Sequence, residues 1–178
     1  MKKVFFLLAI AAIIASCQDK AKTEATTTGK DSTSKMAVDL PYTASYSSNF
    51  TDDVSDADLK MVLMTYKDWA DGNMPNLSKA IGDSIEVDFS DGNHFKGVNA
   101  DLMKRWSTYR DSLSSVVIDM QAFKKMYAVD KKESFVVTWY KETDTYKTGK
   151  VDSGYYNDIN QVKNGKISWY SQYKRPAK

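Results

Sequence analysis

The chain has 178 residues, 42% hydrophobic and 27% charged, a balance that excludes a wholly disordered polymer and allows one domain-sized core. Its one cysteine excludes a disulfide within the chain, and one histidine leaves no paired-ligand spacing for a metal. The formal charge of +2 equals the contribution of Lys2 and Lys3; residues 17–178 carry 23 Lys+Arg against 23 Asp+Glu, interspersed, which is not the basic footprint of a nucleic-acid binder.

Lys2 and Lys3 precede 12 uninterrupted apolar residues, Val4 to Ala15. That run is shorter than the roughly 20 residues a membrane span needs, and it has the layout of a secretory signal. Ile14-Ala15-Ser16-Cys17 resembles the lipobox of bacterial lipoproteins. The resemblance implies that residues 1–16 are a signal peptide and that the Cys17 thiol receives a diacylglycerol. It also implies that the mature chain is lipid-anchored in the bacterial cell envelope, periplasmic or surface-exposed. Two or three acyl chains anchor stably where one binds reversibly.

Residues 17–50 are expected to be the lipidated cysteine and a flexible tether. From Gln18 to Ala37 the sequence is Lys, Thr, Ser, Asp and Ala with almost no large apolar side chain, so burial cannot offset the entropy of ordering. A coil of about 20 residues spans roughly 25 Å. Leu40, Tyr42, Tyr46 and Phe50 are candidates to pack on the domain that follows, residues 51–178.

Within that domain, Ser55 and Asp58 have the spacing of a helix N-terminal cap. Leu59, Val62, Leu63, Tyr66, Trp69 and Ala70 then recur at helical period, and Gly72 ends the helix. Met74-Pro75-Asn76-Leu77 predicts a short helix or turn with proline in an early position. Ile85, Val87 and Phe89 alternate with Glu86 and Asp88, which predicts a strand, and Asp91-Gly92 reads as a turn. A helix is predicted over about Val98 to Leu113, with Val98, Leu102, Trp106, Tyr109 and Leu113 on one face. The period then changes to two: strands are predicted at 116–123, 134–140, about 151–162 and 166–173, the last two joined by Asn164-Gly165. Helices segregated from a mainly antiparallel sheet make an α+β domain.

Four strings carry a family resemblance: YKDWADGNMPNL, DSIEVDFSDGNHFKG with Gly97, the run of late strands, and VKNGKISWYSQY. Over about Ser55 to Tyr173 they are similar to the SnoaL-like branch of the nuclear-transport-factor-two-like superfamily. The resemblance implies a cone: a curved, mainly antiparallel sheet wrapped around two longer helices and one short helix, enclosing a pocket. It also implies a family that uses this pocket for isomerases, cyclases, dehydratases and hydrolases as well as for plain binding, and that often dimerises through the sheet face. None of the four strings is an active-site signature.

Candidate chemistry rests on few residues. His94 is a candidate general base, since an imidazole titrates near neutral pH, but it lacks a Ser, Cys or second His at useful spacing, which favours a solvated loop residue. Asp119, amid Val117, Ile118 and Met120, is a candidate acid or base if it points inward, and an ordinary surface carboxylate if it points out. Asp158 shares a strand face with Tyr156 and Asn160 and is the second candidate. Tyr66, Trp69, Trp106, Trp139, Tyr156 and Tyr170 are the aromatics expected to line a pocket, which would suit a flat or hydrophobic ligand. No cofactor and no metal are implied.

Two classes of function remain. The first is a membrane-tethered module that binds a small molecule or a partner protein without catalysis; the missing catalytic dyad and the tether favour it. The alternative is an envelope enzyme of isomerase, cyclase or hydrolase type, with Asp119 or Asp158 as its base. A homodimer through the sheet face fits either class.

Overall fold

The computed structural model describes residues 40–177. The expected signal peptide, Cys17 and the tether up to residue 39 lie outside the described residues. A short strand β1 (Phe50–Thr51) leads to α1 (Asp56–Asp71). The Ser55 hydroxyl accepts the Asp58 amide at 3.0 Å, and Asp56 and Asp58 sit where the helix dipole favours acids. Gly72 closes α1 in a left-handed conformation, φ 73°, which glycine adopts without a Cβ clash. Asn73 caps α2 (Met74–Ala80), with Pro75 in its first turn.

β2 (Ile81–Asp88) and β3 (His94–Val98) form an antiparallel hairpin. β3 replaces the loop expected around His94. The strand is short and mostly exposed, so no apolar alternation announces it. Its pairing places His94 beside Asp88, with Nδ1 2.8 Å from Oδ1, on the surface. α3 (Asn99–Asp111) follows. Then come four long strands: β4 (Leu113–Ala128), β5 (Glu133–Tyr146), β6 (Val151–Lys163) and β7 (Lys166–Pro176).

The seven strands form one curled sheet in the order β1-β4-β5-β6-β7-β2-β3. Every pair is antiparallel except β2 with β7. Register irregularities at Met120/Ala122 in β4 and Gln161/Val162 in β6 interrupt the ladder, as bulges do where a sheet bends. The core joins Val62 and Tyr66 of α1 and Leu102 of α3 to Ile81, Val87, Val136, Val162 and Ile167 of the sheet. These large side chains are among the most buried in the domain, and their burial is the main stabilising term. The α+β cone expected from the sequence is the observed architecture.

Candidate ligand cavity

The concave side of the sheet and the two longer helices wall a half-open cavity of about 380 Å³. Trp69 and Tyr66 reach it from α1, Trp106 and Tyr109 from α3, and Tyr140, Tyr156 and Tyr170 from the sheet. Ring meets ring around it. Trp69 and Tyr109 stack with planes 3° apart and centroids at 6.1 Å, and Tyr140 stacks on Tyr156 at 5.2 Å. Trp106 meets Trp69 and Tyr170 edge-on. Such offset and edge contacts fix the walls.

The helix ends that carry these rings are tied together. Arg110 of α3 donates from Nε to the Trp69 carbonyl and from Nη2 to the Ala70 carbonyl, each at 2.9 Å. Arg110 thus supplies a donor to the terminal Ala70 carbonyl and a second one to the Trp69 carbonyl, which also accepts the Gly72 amide at 3.1 Å.

Of the expected pocket aromatics, Tyr66, Trp69, Trp106, Tyr156 and Tyr170 line the cavity. Trp139 does not. It pairs with Ala122 and Asn157 on the outer face and is 40% exposed, because Thr138 and Tyr140 take the inward positions of β5. Asp119 also points outward: it pairs with Lys141 and is exposed, while its neighbours Ile118 and Met120 pack on the core.

Asp158 faces inward and is fully buried, yet it lies behind the cavity wall instead of lining it. Its Oδ2 accepts three tyrosine hydroxyls, from Tyr140 at 2.8 Å and from Tyr66 and Tyr170 at 3.0 Å. Thr138 and Asn160 Nδ2 complete the bonding of the Tyr66 hydroxyl, and Gln172 donates to Tyr170 and Tyr140. Burial pushes the Asp158 carboxyl up to about 7, and the tyrosine hydroxyls pull it back only in part. Oδ1 has no partner among the described residues.

Two ionisable residues on the wall, Glu142 and Asp144, carry no sequence signal of their own. They follow Tyr140 on the inward face of β5, which runs on to Tyr146, beyond the expected strand end at Tyr140. Burial, and after it the neighbouring Asp144 carboxylate, pushes Glu142 up to about 8. The Trp69 indole donates to Glu142 Oε1 at 3.4 Å, and Tyr109 donates to Asp144 Oδ2 at 3.0 Å. Burial also raises Asp144, against the hydroxyl of Tyr109. A protonated Glu142 beside an ionised Asp144 is a pair that can hold or hand on one proton.

Across the strand from Glu142 stands Gly154. A Cβ there would lie 2.7 Å from Cε of Lys174, so the bare backbone lets the lysine stem cross the sheet. The Lys174 ammonium binds Asp152 at 2.7 Å and lies over the Tyr156 ring. Arg105, over the Phe89 ring, and Asp91 also line the cavity. Among the described residues no group of His, Cys, Asp and Glu is arranged to hold a metal.

No protein-family model matches the chain, and no curated protein matches it. Solved structures do. A LEH-like epoxide hydrolase from M. tuberculosis matches at 9% identity and TM-score 0.57, over 67% of this chain and 83% of its own. An NTF2-like protein from Anabaena variabilis matches at 15% identity and TM-score 0.54, over 69% and 92%. AusH from Aspergillus nidulans matches at 13% identity and TM-score 0.56, over 70% and 88%. The fold is that of the NTF2-like (nuclear-transport-factor-two-like) proteins. Identities this low speak for the NTF2-like architecture alone, which hosts many unrelated activities.

Proposed function

We propose that this protein is a lipid-anchored protein of the bacterial cell envelope whose SnoaL-like domain holds a small, flat, largely apolar ligand without converting it. The observation that carries the reading is the cavity of about 380 Å³ walled by Trp69, Trp106, Tyr140, Tyr156 and Tyr170. Its volume is within the range of small-molecule sites, and aromatic walls with a few polar groups are their usual lining. The carboxylate best hidden from solvent, Asp158, is bonded to three tyrosines behind the wall, where it supports the site without meeting a guest. The lipobox-like Ile14-Ala15-Ser16-Cys17 supports the anchor, and the exposed Val117, Trp139 and Tyr173 offer a sheet face to a second copy.

The four tryptophan side chains provide the test. Trp69 and Trp106 line the cavity, whereas Trp139 and Trp169 do not. In a nuclear magnetic resonance screen of flat aromatic probes, binding in the cavity shifts the indole signals of the first two and leaves the second two in place. A screen in which no probe moves the Trp69 and Trp106 signals removes the reading.

Acid–base catalysis is the second reading, and one observation favours it: Glu142, pushed up to about 8, on the wall beside Asp144. A proton donor near neutral pH in a cavity can do work on a bound molecule. Conversion of a bound probe followed by mass spectrometry, and lost in Glu142→Gln, would establish it.

A further inference from the structure

Among the described residues, the cavity wall holds a pair of carboxyl groups that no cation meets in a salt bridge. Glu142 and Asp144 are 8% and 3% exposed, stand two positions apart on the inner face of β5, and both line the cavity. Among the described residues neither forms a salt bridge. Among the described residues the donors to the pair are few: the Trp69 indole to Glu142, the Tyr109 hydroxyl to Asp144 Oδ2, and the proton that Glu142 shares with Asp144. Asp144 Oδ1 is buried and, among the described residues, meets no donor outside the Glu142–Asp144 pair. A buried acceptor without a donor is costly, and a buried unpaired carboxylate more so.

Two cations line the cavity, and neither forms a salt bridge with the pair. Lys174 is held by Asp152 at 2.7 Å. Arg105 lies over the Phe89 ring beside Asp91. Without a cation, the pair relieves itself by keeping a proton on Glu142, which burial and Asp144 both favour. The faces around the pair have a matching character. Trp69 and Tyr109, the two residues that donate to the carboxylates, are the parallel stacked rings, and Trp106 packs edge-on against Trp69. Aromatic faces beside an acid are the setting in which organic ammonium groups are recognised.

We infer that the cavity takes an organic cation: a primary or substituted ammonium group set against Glu142 and Asp144, on a flat apolar body held by Trp69, Trp106 and Tyr109. The inference rests on the ligand-binding reading above and names the chemical class of the ligand. The ammonium would supply donors to Asp144 Oδ1 and to Glu142 in place of the retained proton. Arg105 at the Phe89 end of the cavity is the competing feature; it would favour an anion instead.

Three probes with one indole body decide between these. Tryptamine is a cation at neutral pH, indole-3-propionamide is neutral and indole-3-propionate is an anion. Each is titrated into the full-length chain by isothermal titration calorimetry, with the Trp69 and Trp106 indole signals as the report of where it binds. The expected result is tryptamine at least tenfold tighter than either analogue. In a Glu142→Gln, Asp144→Asn double variant, that preference should vanish while the amide still binds. If the amide or the propionate moves the two signals with equal or better affinity than tryptamine, the cation reading is wrong and the cavity reading stands. If none of the three moves them, both readings fall. Should the double variant not fold, the comparison on the unsubstituted chain decides alone.

Discussion

The hydroxyl of Tyr140 donates to Asp158 Oδ2 at 2.8 Å across two neighbouring strands, and this bond keeps the most buried carboxylate of the domain behind the cavity wall. With Tyr66 and Tyr170 it makes a three-hydroxyl cradle around one oxygen. The cradle favours the charged form, burial favours the neutral one, and burial wins.

That outcome fixes a sign for pH. Asp158 ionises at about 7 in the folded protein and at its ordinary 3.8 when unfolded. Between those values the folded state holds a proton that the unfolded state has released, so stability falls as pH rises through the window. A shift of this size corresponds to about 4 kcal/mol. Glu142, pushed up to about 8, extends the fall in the same direction. Urea unfolding at pH 5, 6.5 and 8 should give steadily lower stability, and Asp158→Asn should flatten the slope below pH 7. A curve that rises with pH, or one that Asp158→Asn leaves unchanged, contradicts the account.

Removing one arm of the cradle should be costly. Tyr66→Phe deletes a donor to Asp158 and the group that both Thr138 and Asn160 meet. Leaving such buried groups unpaired costs about 1–3 kcal/mol. The urea midpoint should drop with no change in the slope of the transition. Since Tyr66 and Tyr140 share one acceptor, their effects should not add.

The helices and the placement of Tyr66, Trp69 and Trp106 were legible because amphipathic period and caps coincide: Ser55 at the start of α1, Gly72 at its end, one apolar face between. The pairing of Tyr156, Asp158 and Asn160 on one face was legible from strand period alone. The face of Trp139 was not. In Ser134-Phe135-Val136-Val137-Thr138-Trp139-Tyr140 both faces are apolar, so alternation does not say which points inward. Beyond Tyr140 the reverse holds. Lys141-Glu142-Thr143-Asp144 is polar on both faces and looks like solvated chain, although Glu142 and Asp144 are buried. A strand whose inner residues are acids hides its own site from a hydrophobicity reading.

Arg110 should matter more than a half-buried surface arginine usually does. It donates to two terminal carbonyls of α1, Ala70 and Trp69, the latter shared with the Gly72 amide. Arg110→Met keeps the stem and removes the charged hydrogen bonds to Trp69 and Ala70 and a longer one to Leu113, at a cost of about 2 kcal/mol. The same substitution should move the Trp69 indole signal and weaken any cavity probe, while Trp139 stays in place. A stability loss with an unmoved Trp69 signal would leave Arg110 a purely structural role.

For the anchor, Cys17 is the sole thiol of the chain, so one substitution is decisive. Cys17→Ser should yield a product with residues 1–16 still attached, no added acyl mass and no stable membrane association. Processing and retention unchanged in that variant, read by intact mass and fractionation, would rule out lipidation at Cys17.

Gly154 keeps Lys174 in its place beside the acids. The stem of Lys174 crosses where a side chain at 154 would stand, at 2.7 Å from its Cβ, and Tyr156 Cε2 is 3.1 Å away. The contact includes Cγ of the lysine as well as Cε, so swinging the far end aside does not relieve it. Gly154→Ala must therefore push the stem outward and strain the Lys174–Asp152 pair, at an overpacking cost of about 1–3 kcal/mol. The prediction is separable from any general intolerance of strand β6. In a Lys174→Ala background the same Gly154→Ala change should cost clearly less, because its main obstacle is gone. Equal costs in the two backgrounds would mean that the lysine is not what the glycine accommodates.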